Sequence, residues 1–138
     1  MPFPTKNNLA LSSTGGLPKI SFSVIGNQID PTTYVVGVSE GKVQPGGETS
    51  VKYIGLIKST DLNTAKEIKG QTVQQVQDLD GRALKWTIGL SSLNQLDADF
   101  RMQVKCGQGN PLPKIVDEPG KLDHGVAIAN GYIFVTVS

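Results

Sequence analysis

Charged residues are scarce in this 138-residue sequence, and cysteine and histidine are nearly missing. Only 18% of the residues are Asp, Glu, Lys or Arg, and the formal net charge is +1, whereas about a quarter of residues are charged in a typical soluble domain. The single cysteine, Cys106, excludes an internal disulfide, and with the one histidine, His124, it offers too few ligands for a zinc site. Ser, Thr, Asn, Gln and 16 glycines supply the polarity, a composition typical of surfaces that pack against other copies or bind sugars.

Long apolar stretches are also missing. Nothing approaches the roughly 18 residues that a membrane helix needs, and Leu9-Ala10-Leu11 is too short for the apolar region of a signal peptide. No Asn-x-Ser/Thr glycosylation site occurs. We therefore expect no signal peptide, no transmembrane segment and no membrane partner, in a protein used in a cytoplasm or assembled there before release.

The sequence lacks the motifs of common catalytic and cofactor sites. No Gly-x-Ser-x-Gly nucleophile motif and no phosphate-binding glycine loop occurs. Asp78-x-Asp80-Gly81 faintly resembles a calcium loop, but Arg82 stands at the fifth position and no closing glutamate follows. Asp123 precedes His124, which we interpret as an exposed loop histidine. We expect no catalytic, cofactor-binding or metal-ligating residues, and a protein that is not an enzyme.

Alternation of apolar and polar residues is the main pattern that is present. It is clearest over 100–106 and recurs over 19–24 and 84–88. A period of two places one set of side chains in a core and the other in solvent, as in half-buried antiparallel strands. Further strands are predicted over 33–38 and 50–58. The fold class is therefore mainly β, an antiparallel sheet or a β-sandwich with hairpins and at most one or two short helices.

Local motifs refine this prediction. Residues 59–69 are the one credible helix, although a loop is an alternative, and residues 72–79 are ambiguous. Asp80-Gly81 and Asn130-Gly131 predict hairpin turns, since both dipeptides tolerate positive φ angles. Trp86 and Cys106 lie on the apolar sides of their strands, which predicts a core tryptophan and an inert, buried thiol.

The chain is predicted to be one domain with an N-terminal extension. Residues 1–18 contain two early prolines and a Gly15-Gly16 pair but little that could pack. They are expected to form an arm, either a frayed terminus or a segment that orders on a neighbouring subunit. Residues 19–138 are expected to form a single antiparallel β domain.

Positive charges recur on the polar sides of the predicted strands, where Lys52, Lys85, Arg101 and Lys105 are the candidate residues, while most acids fall in predicted turns. This pattern predicts a basic sheet face that can contact phosphates without reading sequence. An alternative is that these lysines only block the pairing of exposed strand edges.

A basic antiparallel sheet, an uncharged exterior and an N-terminal arm together resemble the coat proteins of small single-stranded RNA bacteriophages. The resemblance covers about residues 19–106 and implies a self-assembling shell in the virion, formed in the host cytoplasm. Its partners would be copies of itself and RNA, held by non-specific phosphate contacts with Lys52, Lys85, Arg101 and Lys105. The tail departs from that family, because it is predicted to be loop and hairpin where the family has helices.

Two other functions are compatible with the sequence. A carbohydrate-binding β-sandwich could use polar side chains and an aromatic in loops such as 107–113. A small enzyme could use Asp123 and His124, if the carboxylate orients the imidazole as a base.

Overall fold

The computed structural model describes residues 8–26, 29–44, 46–93, 97–109 and 112–138. Within these ranges the chain forms two sheets and one short 3-10 helix. In chain order the elements are β1 (Asn8–Leu11), β2 (Lys19–Ile25), β3 (Asp30–Ser39), β4 (Tyr53–Ser59), β5 (Lys66–Glu67), the 3-10 helix η1 (Val76–Leu79), β6 (Ala83–Ser91), β7 (Asp99–Gly107), β8 (Lys114–Lys121) and β9 (Val126–Val137).

The two sheets pack face to face around one core, which confirms the mainly β prediction and its sandwich form. One sheet has five strands in the order β1-β9-β6-β3-β4, and the other has four in the order β5-β2-β7-β8. The Phe22 ring of the four-stranded sheet lies 4.6 Å from the Tyr34 ring and 6.4 Å from the Trp86 ring of the five-stranded sheet, measured between centroids. Burying such aromatic side chains is a major source of stability. Trp86 and Cys106 are both buried, as predicted.

The predicted hairpin at Asn130-Gly131 is wrong, because β9 runs unbroken through both residues and pairs with β6 along Val126–Phe134. Gly131 serves a different purpose there. A Cβ at this position would overlap Cζ2 and Cε2 of Trp86 and lie 2.8 Å from its Nε1 atom. The glycine is therefore required by the tryptophan ring that packs on the strand, and not by a turn.

The Asp80-Gly81 hairpin is wrong as well. Gly81 does adopt a positive φ of 76°, but it joins η1 to β6 instead of joining two paired strands. The ambiguous stretch before it contains η1, and Val73, Val76 and Leu79 are all buried. Val76 and Leu79 lie three residues apart within η1, which matches the three residues per turn of a 3-10 helix.

Residues 59–69 do not form the predicted helix. They connect the two sheets, with β5 near the end, and Leu62 and Ile68 are buried while Ala65 is exposed. The Phe22 N–H donates to the Leu62 carbonyl at 2.9 Å, and the Ile68 N–H donates to the Pro18 carbonyl at 2.8 Å. These backbone bonds along β2 replace those a helix would have made.

The prediction of an arm over residues 1–18 is wrong for residues 8–11. Asn8–Leu11 form β1, which pairs in parallel with the end of β9, and Leu9 and Leu11 are buried in the core. Residues 1–7 lie outside the described residues. Within the described part of the chain, no helix has the length and apolarity needed to cross a membrane.

Candidate interaction surfaces

The outward side of the four-stranded sheet carries charges of both signs. Arg101 and Lys105 point outward from β7. The alternate residues Phe100, Met102 and Val104 of the same strand are buried. The Arg101 Nε atom lies 3.0 Å from an Asp117 carboxylate oxygen. Because β8 brings this acid alongside, Arg101 is paired with a carboxylate and is not a free phosphate ligand.

Acids also lie beside two other cations of this sheet. Lys19 pairs in register with Glu67, and Asp99 pairs in register with Lys121. The prediction that almost all acids fall in turns is wrong here, since the sequence analysis missed β8 and β5 and with them the placement of Asp117 and Glu67.

The remaining two candidate residues belong to the five-stranded sheet. Lys85 points outward from β6, where Leu84 and Trp86 are buried. Its ammonium group lies 5.9 Å from the ring centre of Tyr53 and 5.8 Å from that of Tyr132. Lys52 is exposed just before β4, and its carbonyl accepts a hydrogen bond from the Glu40 N–H at 3.1 Å.

The four predicted nucleic-acid residues therefore do not share one surface. Lys52 and Lys85 belong to the five-stranded sheet, and Arg101 and Lys105 to the four-stranded sheet. Because the inward sides of both sheets form a single core, their outward sides look in opposite directions. The expected single basic sheet face is absent from the described residues.

A cluster of aromatic rings covers one end of the outer face of the five-stranded sheet. The Tyr53 and Tyr132 centroids are 6.0 Å apart, and Val43, Val51, Ala83 and Phe134 pack beside them. The Tyr53 hydroxyl donates to the Glu48 carbonyl at 2.6 Å. Burial, followed by the nearby Tyr132 and Glu48, raises the pKa of Tyr53 to about 12. Cation–π contact with two rings holds the Lys85 charge against this cluster.

Exposed aliphatic side chains occupy the other end of the same outer face. Val35, Val126 and Ile128 are 38%, 59% and 70% exposed. Between them the Thr87 hydroxyl and the Asn130 side-chain oxygen lie 2.8 Å apart across β6 and β9. Large apolar side chains standing in solvent near one another are typical of an interaction surface.

A cleft of about 240 Å³ opens between β8 and β9, where the two sheets diverge. Phe100 and Met102 line it from one sheet, and Ala127 and Ala129 from the other. Gly120 keeps it open over Phe100, since a Cβ on this glycine would lie 2.7 Å from the ring carbon Cε1. Glu118, Lys121 and Asn130 line it as well, so the cleft presents both polar and apolar groups.

The residues considered for catalysis or metal binding have surroundings that give them structural roles. His124 and Asp123 are exposed in a turn, with Nδ1 and the carboxylate 2.6 Å apart. The Asp78 carboxylate accepts from the N–H groups of Gln74 and Gln75, which lower its pKa. Burial raises the pKa of the Cys106 thiol to about 12. In the described ranges, no three His, Cys, Asp or Glu side chains come together as metal ligands.

The loop 107–113, proposed for sugar binding, makes structural hydrogen bonds through one of its polar side chains. The Gln108 amide donates to the carbonyls of Ser12 and Gly16 at 2.9 and 2.8 Å, and its oxygen accepts from the Ser12 N–H. Residues 110 and 111 of that loop lie outside the described residues. Trp86 is 1% exposed, so it cannot serve as a sugar platform.

Comparison with known proteins identifies no family. No protein-family model matches the chain, and no curated protein sequence matches it significantly. Among solved structures, the chain is similar to a domain of unknown function, DUF4425, from Bacteroides vulgatus. The two are 12% identical over 88% of this chain and 96% of that domain, with a TM-score of 0.38.

Proposed function

We propose that this chain is a non-enzymatic structural protein that assembles with copies of itself, as the coat subunit of a virion does. The observation that carries the proposal is the outer face of the five-stranded sheet, where Val35, Val126 and Ile128 stand exposed. Lys85 on this face has its charge held over two tyrosine rings. Assembly would remove these apolar groups from water, at about 25 cal/mol for each Å² buried.

The part of β9 that β1 leaves unpaired strengthens the case. Soluble proteins usually protect exposed sheet edges with charges or proline, and β8 does so with Asp117, Glu118 and Pro119. In contrast, β9 contains no charged residue from Val126 to Val137, and β1 pairs with it only over Phe134–Val137. An unprotected edge is tolerated when another chain covers it.

RNA binding is only a minor part of this proposal. The cations are divided between two opposite faces and Arg101 is paired with Asp117, so a phosphate-binding sheet is not part of the assembly surface we propose. Nucleic acid carried by the assembled particle would contact separate exposed cations such as Lys52 and Lys105.

Ile128→Lys and Ile115→Lys form a matched pair that tests the proposal. Both isoleucines are exposed, at 70% and 52%, but Ile115 lies on the four-stranded sheet. We expect wild type and Ile115→Lys to form oligomers or particles, seen by light scattering and electron microscopy. Ile128→Lys should weaken association at least tenfold, or about 1.4 kcal/mol. A wild-type protein that stays monomeric would refute the proposal.

A carbohydrate-binding function is the second candidate, now placed at Tyr132, Thr87 and Asn130 on the same face. A half-buried aromatic beside hydroxyl and amide groups is a common arrangement for holding a neutral, polar ligand. Binding to a glycan array that Tyr132→Ala abolishes would support it. Silence on the array, with oligomers in solution, would favour the assembly function.

A further inference from the structure

Charges of opposite sign stand at two levels along the outer face of the five-stranded sheet. At the first level, Asp30 on β3 lies opposite Ser91 on β6. At the second level, Lys58 on β4 lies opposite Val35 on β3, which lies opposite Thr87 on β6. Ser91 and Thr87 are four residues apart on one strand, so they point to the same side of the sheet, and residues directly opposite each other share that side. Asp30 and Lys58 therefore project from the same face.

Neither of these two charges is neutralised within its own chain. Asp30 and Lys58 are both exposed. Among the residues that the structure describes, no ion pair joins either of them to another side chain. The four-stranded sheet differs, since Arg101 on its outward side is paired with Asp117 at 3.0 Å. Both charges of the five-stranded sheet are therefore available to a partner that carries the opposite sign.

Two further charges lie beyond the Lys58 level, at the aromatic end of the face. The Lys85 ammonium group lies over the rings of Tyr53 and Tyr132. Glu48 is at the same end, because its carbonyl accepts a hydrogen bond from the Tyr53 hydroxyl. These two charges have surroundings within the chain, and the contact described next does not need them.

An exposed isoleucine stands midway between the two levels. Ser91 and Thr87 are about 13 Å apart along β6, since each residue of a strand adds about 3.3 Å. Gly89 is the residue halfway between them, and Ile128 on β9 lies opposite Gly89. The Ile128 side chain is 70% exposed. The acidic and the basic level therefore lie at equal distances on either side of an apolar group that stands in solvent.

This arrangement makes the face complementary to itself. A two-fold axis that crosses the strands at Ile128 would lay each strand on its own counterpart, with the two sheets about 10 Å apart. The acidic level of each copy would then cover the basic level of the other. Asp30 on β3 would lie beside Lys58 of the other copy, because β4 is the neighbour of β3. The two Ile128 side chains would meet on the axis.

We propose that the outer face of the five-stranded sheet binds the same face of a second copy of this chain through this two-fold contact. The inference rests on the assembly function proposed above and specifies one of its contacts. A second copy is the partner because this face itself presents both members of the charge pair, placed symmetrically about an exposed apolar side chain. A contact of this kind uses the same patch on both subunits and closes at two copies.

The size of the contact sets the conditions in which it forms. Four strands about 4.8 Å apart that overlap along about 20 Å give a flat area of about 400 Å² on each copy. Stable complexes bury about 800 Å² on each partner. The pair is therefore expected to be weak on its own, so its association has to be measured up to high protein concentration.

Charge reversal at Asp30 and Lys58, with sedimentation measured over a range of protein concentrations at low salt, tests the contact. Asp30→Lys and Lys58→Glu should each weaken association at least tenfold, because the symmetry turns two attractions into two repulsions. An equimolar mixture of the two variants should recover wild-type association, as pairs with one copy of each. Lys105→Glu, at an exposed position of the four-stranded sheet, is the matched control and should associate as wild type does.

Two results would overturn the contact. Wild-type association in both single variants would mean that the charges do not meet, and that Lys58 only protects the β4 edge. Weakened variants whose mixture does not recover would mean that the two charges do not face each other. Electron microscopy of the same samples separates this inference from the proposed function. Particles that persist in both variants would refute only the two-fold contact. Pairs that the mixture restores, in a protein that forms nothing larger, would refute only the coat function.

Discussion

Gly131 is the residue whose substitution tests the packing of the sandwich most directly. Gly131→Ala would place a methyl group on top of the Trp86 ring. Carbon atoms in contact need to be about 3.5–4 Å apart, but this methyl group would overlap the ring. Trp86 cannot move freely, since it is 1% exposed and packs beside Phe22. Either the ring leaves its position or β9 separates from β6, and both disturb the core.

The expected loss of stability in Gly131→Ala follows from the overlap of the new methyl group with the Trp86 ring. Forcing extra volume into a packed core costs about 1–3 kcal/mol, and the extent of overlap places Gly131→Ala at the upper end. For a domain of this size, each kcal/mol lowers the Tm by about 4 °C. We therefore expect the Tm to fall by on the order of 10 °C.

Gly55→Ala is the matched control for this measurement. Gly55 also lies within a strand, but a Cβ there would meet nothing within 4 Å, so its effect should stay within about 0.5 kcal/mol. Urea unfolding followed by the fluorescence of Trp86, the single tryptophan, reports both variants. Equal stability of Gly131→Ala and wild type, with an unshifted emission spectrum, would show that the ring does not pack on this glycine.

Three further predictions concern groups inside the fold. Ser39→Ala should cost about 1–3 kcal/mol in urea unfolding, because the buried Ser39 hydroxyl accepts from the Ala83 N–H at 3.0 Å and its loss leaves that group unpaired; a cost near zero would contradict this. Cys106 should react with a thiol reagent at the rate of unfolding, since burial raises its pKa to about 12; labelling as fast as free cysteine would contradict its burial. The free energy of unfolding should fall between about pH 10 and 12, where the unfolded chain loses the Tyr53 proton and the folded chain keeps it. Tyr53→Phe should reduce that slope, and an unchanged slope would assign it to other groups.

The strands were largely predictable because each one repeats a local pattern. Along β2, β6 and β7 the buried side chains recur at every second residue, and this depends only on strand geometry and one core. In β8 the sequence Lys-Ile-Val-Asp-Glu-Pro-Gly-Lys shows no such alternation, since Val116 is its one buried residue. An edge strand that buries so little leaves no periodic trace in the sequence.

The turn predictions failed for a different reason. Asn130-Gly131 has the sequence of a tight turn, yet the dipeptide lies within a strand because the ring of Trp86 needs the space that a side chain would fill. Trp86 is more than forty positions away in the sequence. A local rule cannot distinguish a glycine needed for its φ angle from one needed for close contact, since both uses favour the same residue.

The placement of the charges on the two sheets could not be predicted. The alternation of apolar and polar residues shows which side chains of a strand face the core, but not which sheet the strand joins. β6 and β7 follow each other in the chain, and each shows the same pattern of buried and exposed residues. The two strands nevertheless belong to different sheets, so Lys85 and Arg101 emerge on opposite sides of the molecule. A surface formed from several strands therefore depends on topology, which is set by long-range pairing. The exposed part of β9 likewise depends on topology, because β1 pairs with only its last four residues, Phe134–Val137.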